Sequence, residues 1–214
     1  MKKRLIALLI VYLAFISSPA DETIFLAALS PKLKNFLTAN PPALKTLIGV
    51  CSSAFRTNTV QVTYFYSEDE SKPRAFHFYP YTAGMADVEL CVRENQQPLD
   101  EFTCVLYELL NSKNQSRFEA AFDRAKAGSL QKREFVMAIM RIEFETDLAV
   151  RDILKGMKFT RKQKAQSHFY NAFVNCPSNF EESLTYQRKV SPEQDPIQEY
   201  EHKYDVLRQT PRAD

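Results

Sequence analysis

The order of the predicted secondary-structure elements most constrains this fold, because three short strands precede a long stretch that is entirely helical. Alternation of apolar and polar residues predicts the strands at 59–66, 75–79 and 87–93. After Pro98, apolar residues recur at helical spacing, and Gly128 is typical of a helix end. Strands followed by a run of helices predict an α+β fold, in which a small, mainly antiparallel sheet is followed by a helical bundle.

The chain divides into four predicted parts. They are a signal peptide (residues 1–20), an N-terminal helical segment (21–44), an α+β core domain (45–175) and a polar C-terminal helical extension (176–214). Within the core, long helices are predicted over 99–112, 115–127, 130–155 and 160–175. With 45% hydrophobic residues and only four glycines, the composition is that of a globular protein.

The N-terminus carries a secretory signal pattern. Lys2, Lys3 and Arg4 form a short basic start, an uncharged apolar run covers 5–16, and Ala20 is a small residue suited to signal peptidase. The apolar run is shorter than the roughly 18 to 20 residues that span a bilayer. The sequence therefore predicts a secreted or periplasmic protein with no stable membrane insertion after signal cleavage.

The net charge of the mature chain is predicted to be close to zero. The full sequence has 28 Lys and Arg against 26 Asp and Glu, and cleavage after Ala20 would leave 25 against 26. Such a protein has no global field that favours nucleic acid or an anionic membrane, so we expect no nucleic-acid partner. The local run Arg161, Lys162 and Lys164 is interpreted as the solvated end of a helix.

The cysteine count is even. In an oxidising compartment, four cysteines are candidates for up to two disulfides, with three pairings open. They are Cys51, Cys91, Cys104 and Cys176. The alternative is that some of them are small buried apolar residues. None lies in a CxxC pair, which gives zinc or thioredoxin-like chemistry little support.

The segment of greatest chemical interest is Tyr107-Glu108-Leu109-Leu110-Asn111. Residues 107 and 111 share one face of the predicted helix, and Glu108 lies beside them. This spacing, after a set of strands, resembles the His-Glu-x-x-His helix of zinc metallopeptidases (zincin-like domains), in which two histidines bind zinc and the glutamate is the general base. The resemblance covers residues 45–175 and implies that Glu143 matches the acidic third ligand of that family.

The departure from this motif bears directly on catalysis. Tyr107 and Asn111 stand where the family has histidines, and a phenol or a neutral amide is a poor zinc ligand. The histidines present, His77, His168 and His202, have no mutual spacing of ligand type. The resemblance therefore implies a pseudoenzyme that has lost its metal, and we expect no metal or other cofactor. The alternative is that Glu108 is an ordinary helix residue held by a nearby Lys or Arg.

A second acidic pair is formed by Glu143 and Asp147, four residues apart on a predicted helix. Two carboxylates at this spacing could share a proton or hold a cation, since repulsion raises one pKa. The favoured interpretation is a solvated helix face, which Arg141 and Glu145 at the same spacing support.

Three functions follow from these patterns. The first is a secreted or periplasmic non-catalytic protein. It would bind a peptide or protein partner in the cleft that is the active site in zincin-like domains. Its predicted binding residues are Tyr107, Glu108, Asn111, Glu143 and Asp147. The second is a hydrolase of unrecognised type that uses a carboxylate site around Glu108 and Glu143, with Glu108 as the candidate catalytic residue. The third is a structural or envelope-associated module without a cleft function.

Overall fold

A computed structural model describes residues 25–54, 60–68, 74–78, 88–190 and 195–209. The predicted signal peptide, residues 1–20, lies outside the described residues. The elements are α1 (Pro31–Ala39), α2 (Pro41–Ala54), β1 (Val60–Phe65), β2 (Ala75–Phe78), β3 (Val88–Arg93), α3 (Pro98–Ser112), α4 (Gln115–Ala127), α5 (Lys132–Gly156), α6 (Arg161–Gln166), α7 (His168–Val174), α8 (Phe180–Val190) and α9 (Pro196–Gln209). This order of strands and helices confirms the predicted α+β class.

The chain forms two compact units. The first contains the described residues up to Tyr66 together with 75–109, and the second contains 67–74 and 110–214 where they are described. The boundary falls inside α3, after Leu109. It therefore crosses the segment 45–175 that the sequence predicted as one core domain.

The sheet of the first unit has β3 in the middle, and its pairing is mixed. β1 runs parallel to β3, with Val62 opposite Leu90, and β2 runs antiparallel to β3, with His77 opposite Leu90. The prediction of a mainly antiparallel sheet is therefore wrong. Alternation of residues identifies a strand and its two faces, but it carries no information about which strands pair or in which direction.

One face of this sheet packs on α3. Val88, Leu90 and Val92 of β3 are fully buried. Residues opposite one another in neighbouring strands share a face, so Val62 and His77 lie on the same side as Leu90. Phe102 and Leu106 of α3 are also fully buried, and the Phe102 ring lies 5.9 Å from that of Phe36 in α1. The core of the first unit therefore includes side chains of the sheet, of α3 and of α1, together with Leu47 of α2, which is also fully buried.

The second unit is built around α5, which contacts α4, α7, α8 and α9. The described chain reverses after α4 at Gly128, whose φ of 78° confirms the predicted helix end. The helix predicted over 160–175 is two helices, α6 and α7. Ser167 lies between them, and its hydroxyl accepts a hydrogen bond from the amide of Tyr170 at the start of α7.

The C-terminal extension packs on the core of the second unit. Phe135, Ile139 and Met140 of α5 are at most 1% exposed. Six partly buried side chains of α8 and α9 pack against this cluster: Phe180, Leu184, Ile197, Tyr200, Tyr204 and Leu207. Apolar burial of this kind explains how a mainly polar segment is held in place. In the part of the chain that the structure describes, no helix has the length and apolar character needed to cross a bilayer.

Candidate functional site

A pocket of about 500 Å³ opens in the first unit, where the turn after β3 meets the start of α1. Its volume lies within the range typical of small-ligand pockets. Charged side chains of both signs contribute to its lining, together with amide, hydroxyl and apolar groups. They come from Ala28, Leu29, Ser30, Pro31, Lys32, Tyr64, Arg93, Glu94, Asn95, Gln96 and Glu101.

One wall of the pocket is a hydrogen-bond network around the Glu101 carboxylate. The Tyr64 hydroxyl donates to Oε1 of Glu101 at 2.6 Å, and the Ser30 hydroxyl donates to Oε2 at 2.8 Å. The Ser30 hydroxyl also accepts from the amide of Leu33 and so caps α1, while the Ser30 amide donates to Tyr64 Oη at 2.8 Å. The network therefore joins α1, β1 and α3 and fixes this wall of the pocket.

Electrostatics keep the Tyr64 hydroxyl protonated. Burial, followed by the adjacent Glu101 carboxylate, raises the pKa of Tyr64 well above its ordinary value. The hydroxyl therefore remains a hydrogen-bond donor to Glu101 at any pH the protein meets. Because Glu101 is only 3% exposed, its carboxyl oxygens take their hydrogen bonds from such donors rather than from water.

Replacing Tyr64 by phenylalanine is expected to lower the free energy of unfolding by about 1–3 kcal/mol, because a buried carboxylate loses a donor. Urea unfolding followed by circular dichroism measures this loss. Tyr66→Phe is the matched control, since Tyr66 is 66% exposed and its change should stay within about 0.5 kcal/mol. Equal losses in both variants would contradict a structural role for the network.

Glu108, the candidate catalytic residue, pairs with a histidine of the sheet. Its Oε2 lies 2.6 Å from Nδ1 of His77 in β2, and the two side chains are 8% and 11% exposed. An Nδ1–H that donates to the carboxylate satisfies a group that would be costly to bury alone. The alternative prediction, that Glu108 is an ordinary residue held by Lys or Arg, named the wrong partner type. The partner comes from another element, which spacing along α3 does not show.

Tyr107 and Asn111, the residues at the two histidine positions of the motif, fall on different sides of the unit boundary. Tyr107 is half-buried in the first unit. Asn111 is buried in the second unit, where its Oδ1 accepts from the Thr146 hydroxyl at 3.1 Å. Thr146 also accepts from the Asn114 amide at 3.2 Å. This interaction gives Asn111 a partner on α5 and so ties the end of α3 to the second unit's core.

Glu143 and Asp147 both lie in the second unit, and the structure corrects their favoured interpretation as a solvated face. Asp147 is 6% exposed and accepts from Nε2 of Gln187 at 2.9 Å, while Glu143 accepts from the Tyr200 hydroxyl. Burial, followed by the Glu143 charge, raises the pKa of Asp147 to about 8. These acids therefore hold α8 and α9 on α5, because the partners come from those two helices.

Glu145, which the spacing on α5 paired with Arg141, also has a different partner. Glu145 binds Arg117 of α4 at 2.5 and 2.9 Å, and Arg141 lies over the ring of Phe180 instead. The bidentate Arg117 contact holds the pKa of Glu145 below its usual value. Contacts between helices thus replace the pair within one helix that the spacing indicated.

The four cysteines are free thiols in this structure, and the disulfides stay a prediction. Cys91 lies opposite Phe76, on the sheet face that points away from α3, while Cys104 lies on α3 and contacts Gln96. A bridge between these two would have to cross the sheet. Burial raises the pKa of Cys176 to about 12, so this thiol is protonated and unreactive at neutral pH.

The pocket residues are not among the site residues predicted from the sequence. Ser30-Pro31 is a recognisable helix start, since serine caps helices and proline suits the first turn, but this signal predicts only a helix. Tyr64 falls in a predicted strand and Glu101 in a predicted helix, and no sequence pattern indicates that the two side chains meet. Their hydrogen bonds link residues 37 positions apart, which no local pattern encodes.

No part of the described chain brings three His, Cys, Asp or Glu side chains together in a way that could hold a metal ion. Comparison of the chain with protein families, with curated proteins and with solved structures finds no match. Function is therefore inferred from the geometry of the pocket and of the buried acids.

Proposed function

We propose that this protein is exported and acts as a non-catalytic binding protein that takes a peptide, or a segment of a partner protein, in the pocket of the first unit. The single observation that carries this proposal is the pocket itself, which combines about 500 Å³ of volume with fixed polar groups. Lining of this kind orients a ligand, because the polar groups are already held in place before binding.

The chemistry of the pocket wall favours a peptide over a ligand of a single charge. Lys32 and Arg93 contribute positive charge, Glu94 and Glu101 negative charge, and Leu29 an apolar surface. A peptide offers complementary groups of each kind, since it carries amide donors and acceptors, side chains of both signs and apolar atoms.

The absence of catalysis is proposed from the groups at the motif positions. Tyr107 and Asn111 offer no imidazole to a metal, and Glu108 is engaged by His77. In this proposal the chain is a zincin-like pseudoenzyme, and Glu108 stabilises the sheet–helix contact instead of activating water. Its binding site is the pocket beside α1, rather than the cleft predicted around Glu108 and Glu143.

Filling the pocket should weaken binding without removing its polar groups. Ala28 lines the pocket, so Ala28→Trp is expected to weaken binding of a selected peptide at least about 10-fold by occupying its volume. The peptide is chosen by selection from a random library against the purified protein, and its affinity is measured by fluorescence anisotropy. Ala39→Trp is the control, because Ala39 is exposed at the end of α1.

Two results would contradict this proposal. One is a selection that yields no binder above background, which would favour a structural module. The other is a binder whose affinity is unchanged in Ala28→Trp. Cleavage of the selected peptide that is lost in Glu108→Gln would support the hydrolase alternative.

A further inference from the structure

The second unit carries a basic segment, residues 153–180, that contains no aspartate or glutamate. Between Asp152 and Glu181 the sequence has five Lys or Arg residues and one histidine. The five are Lys155, Lys158, Arg161, Lys162 and Lys164. The segment covers the end of α5 together with α6 and α7. The net charge of the whole chain is only +2, so it does not reveal this strongly positive local region.

The structure places these charges at the surface. Lys155, Lys158, Arg161 and Lys162 are all exposed. In the described ranges, none of these four forms an ion pair, whereas Arg117, Lys132, Arg188 and Lys203 of the same unit do. Exposed charges of this kind agree with the predicted solvated helix end, and they also leave the four side chains accessible to a partner.

The positive charge extends to one neighbouring side chain. Arg74, which belongs to the same unit, has its guanidinium carbon 5.9 Å from the ring centroid of Phe169 in α7. Phe169 and Phe173 are half-buried, so apolar surface accompanies the charges. Lysine and arginine beside partly exposed aromatic rings suit a boundary between water and lipid, where apolar stems lie along the surface and charged ends reach the headgroups.

We propose that the basic segment docks the second unit on an anionic phospholipid surface. Four of its five cations are lysines, which act as point charges toward phosphate, whereas recognition of nucleic acid relies more on the bidentate fork of arginine. This step rests on the proposed export, after which the protein would meet a membrane surface rather than nucleic acid. This docking is peripheral, and it requires no insertion of a helix.

The test measures binding of the full chain to vesicles by co-sedimentation. Vesicles of phosphatidylcholine and phosphatidylglycerol in equal parts are compared with phosphatidylcholine alone, in low and in high salt. The triple variant Lys158→Glu, Arg161→Glu and Lys162→Glu should bind the anionic vesicles at least about 100-fold more weakly. Loss of each basic residue near such a surface costs about a factor of five, and each added glutamate is repelled as well.

A charge-matched control isolates the position of the charges. The triple variant Arg124→Glu, Lys126→Glu and Arg133→Glu changes the net charge by the same amount at exposed positions of the same unit. It should keep most of its binding to anionic vesicles. Both variants retain residues 1–20, so any contribution of that segment to lipid binding is the same in each.

Three results would overturn the proposal. They are equal losses in the two triple variants, wild-type binding that does not distinguish anionic from neutral vesicles, and binding that high salt leaves unchanged. A labelled single-stranded oligonucleotide is measured in parallel by anisotropy. Tighter binding of the oligonucleotide than of lipid, lost in the Lys158, Arg161 and Lys162 variant, would assign the segment to nucleic acid instead.

Discussion

Asp147→Asn is expected to make the protein more stable than the wild type at pH 8 and to leave its stability almost unchanged near pH 4. The pKa of Asp147 in the folded protein is about 8, against 3.8 as its ordinary value. Between these two values the folded state binds more protons than the unfolded state, so stability falls as the pH rises. The fall is on the order of 1 kcal/mol for each pH unit in this window.

Asparagine removes this dependence because it stays neutral at every pH. Its carbonyl oxygen still accepts the hydrogen bond that Gln187 donates to Asp147. The measurement is urea unfolding of both proteins at intervals from pH 4 to pH 9, read as the difference in free energy of unfolding. Asp152→Asn is the control, because the Asp152 side chain is 69% exposed and should show no such difference.

A flat difference across this range would contradict the burial of an Asp147 carboxylate with a raised pKa. A difference of opposite sign, with the wild type gaining stability as pH rises, would mean that Asp147 is held as a carboxylate. In that case the pKa of Asp147 would be lowered in the folded protein, as Arg117 lowers the pKa of Glu145.

His77→Leu is expected to cost about 3–5 kcal/mol in free energy of unfolding, because it removes one member of a buried pair and leaves the Glu108 carboxylate in an apolar setting. The double variant His77→Leu with Glu108→Met removes both hydrogen-bonded partners. Its loss in free energy of unfolding should be less than half that of His77→Leu, since apolar side chains of similar volume often replace buried polar pairs at little cost. Both are measured by urea unfolding at pH 7.

The comparison between single and double variants decides what Glu108 does. Equal losses would show that Glu108 does not depend on His77. Glu108→Gln, which keeps the shape of the side chain, adds the functional readout. A Glu108→Gln protein that folds stably but no longer binds the selected peptide would place Glu108 in the binding site and contradict binding in the pocket beside α1.

The sequence by itself determined the α+β class, the three strands and most of the helices, because these depend on periodicity and on local end signals. The alternation at Val88, Leu90 and Val92 identified a buried strand face. Gly128 marked a helix end because glycine readily adopts the positive φ that such an end requires. Each of these signals lies within one element. The sequence therefore identified the elements without fixing how they pair.

Only the tertiary structure decided the mixed pairing of the sheet, the partners of the buried acids and the existence of the pocket. Glu108 meets His77 from β2, Asp147 meets Gln187 from α8, and Glu101 meets Tyr64 from β1. These contacts join residues 31–40 positions apart, so they arise from the packing of separate elements rather than from spacing within one. Helical spacing could place the carboxylates on a face, but the fold determined whether each face meets water or a partner.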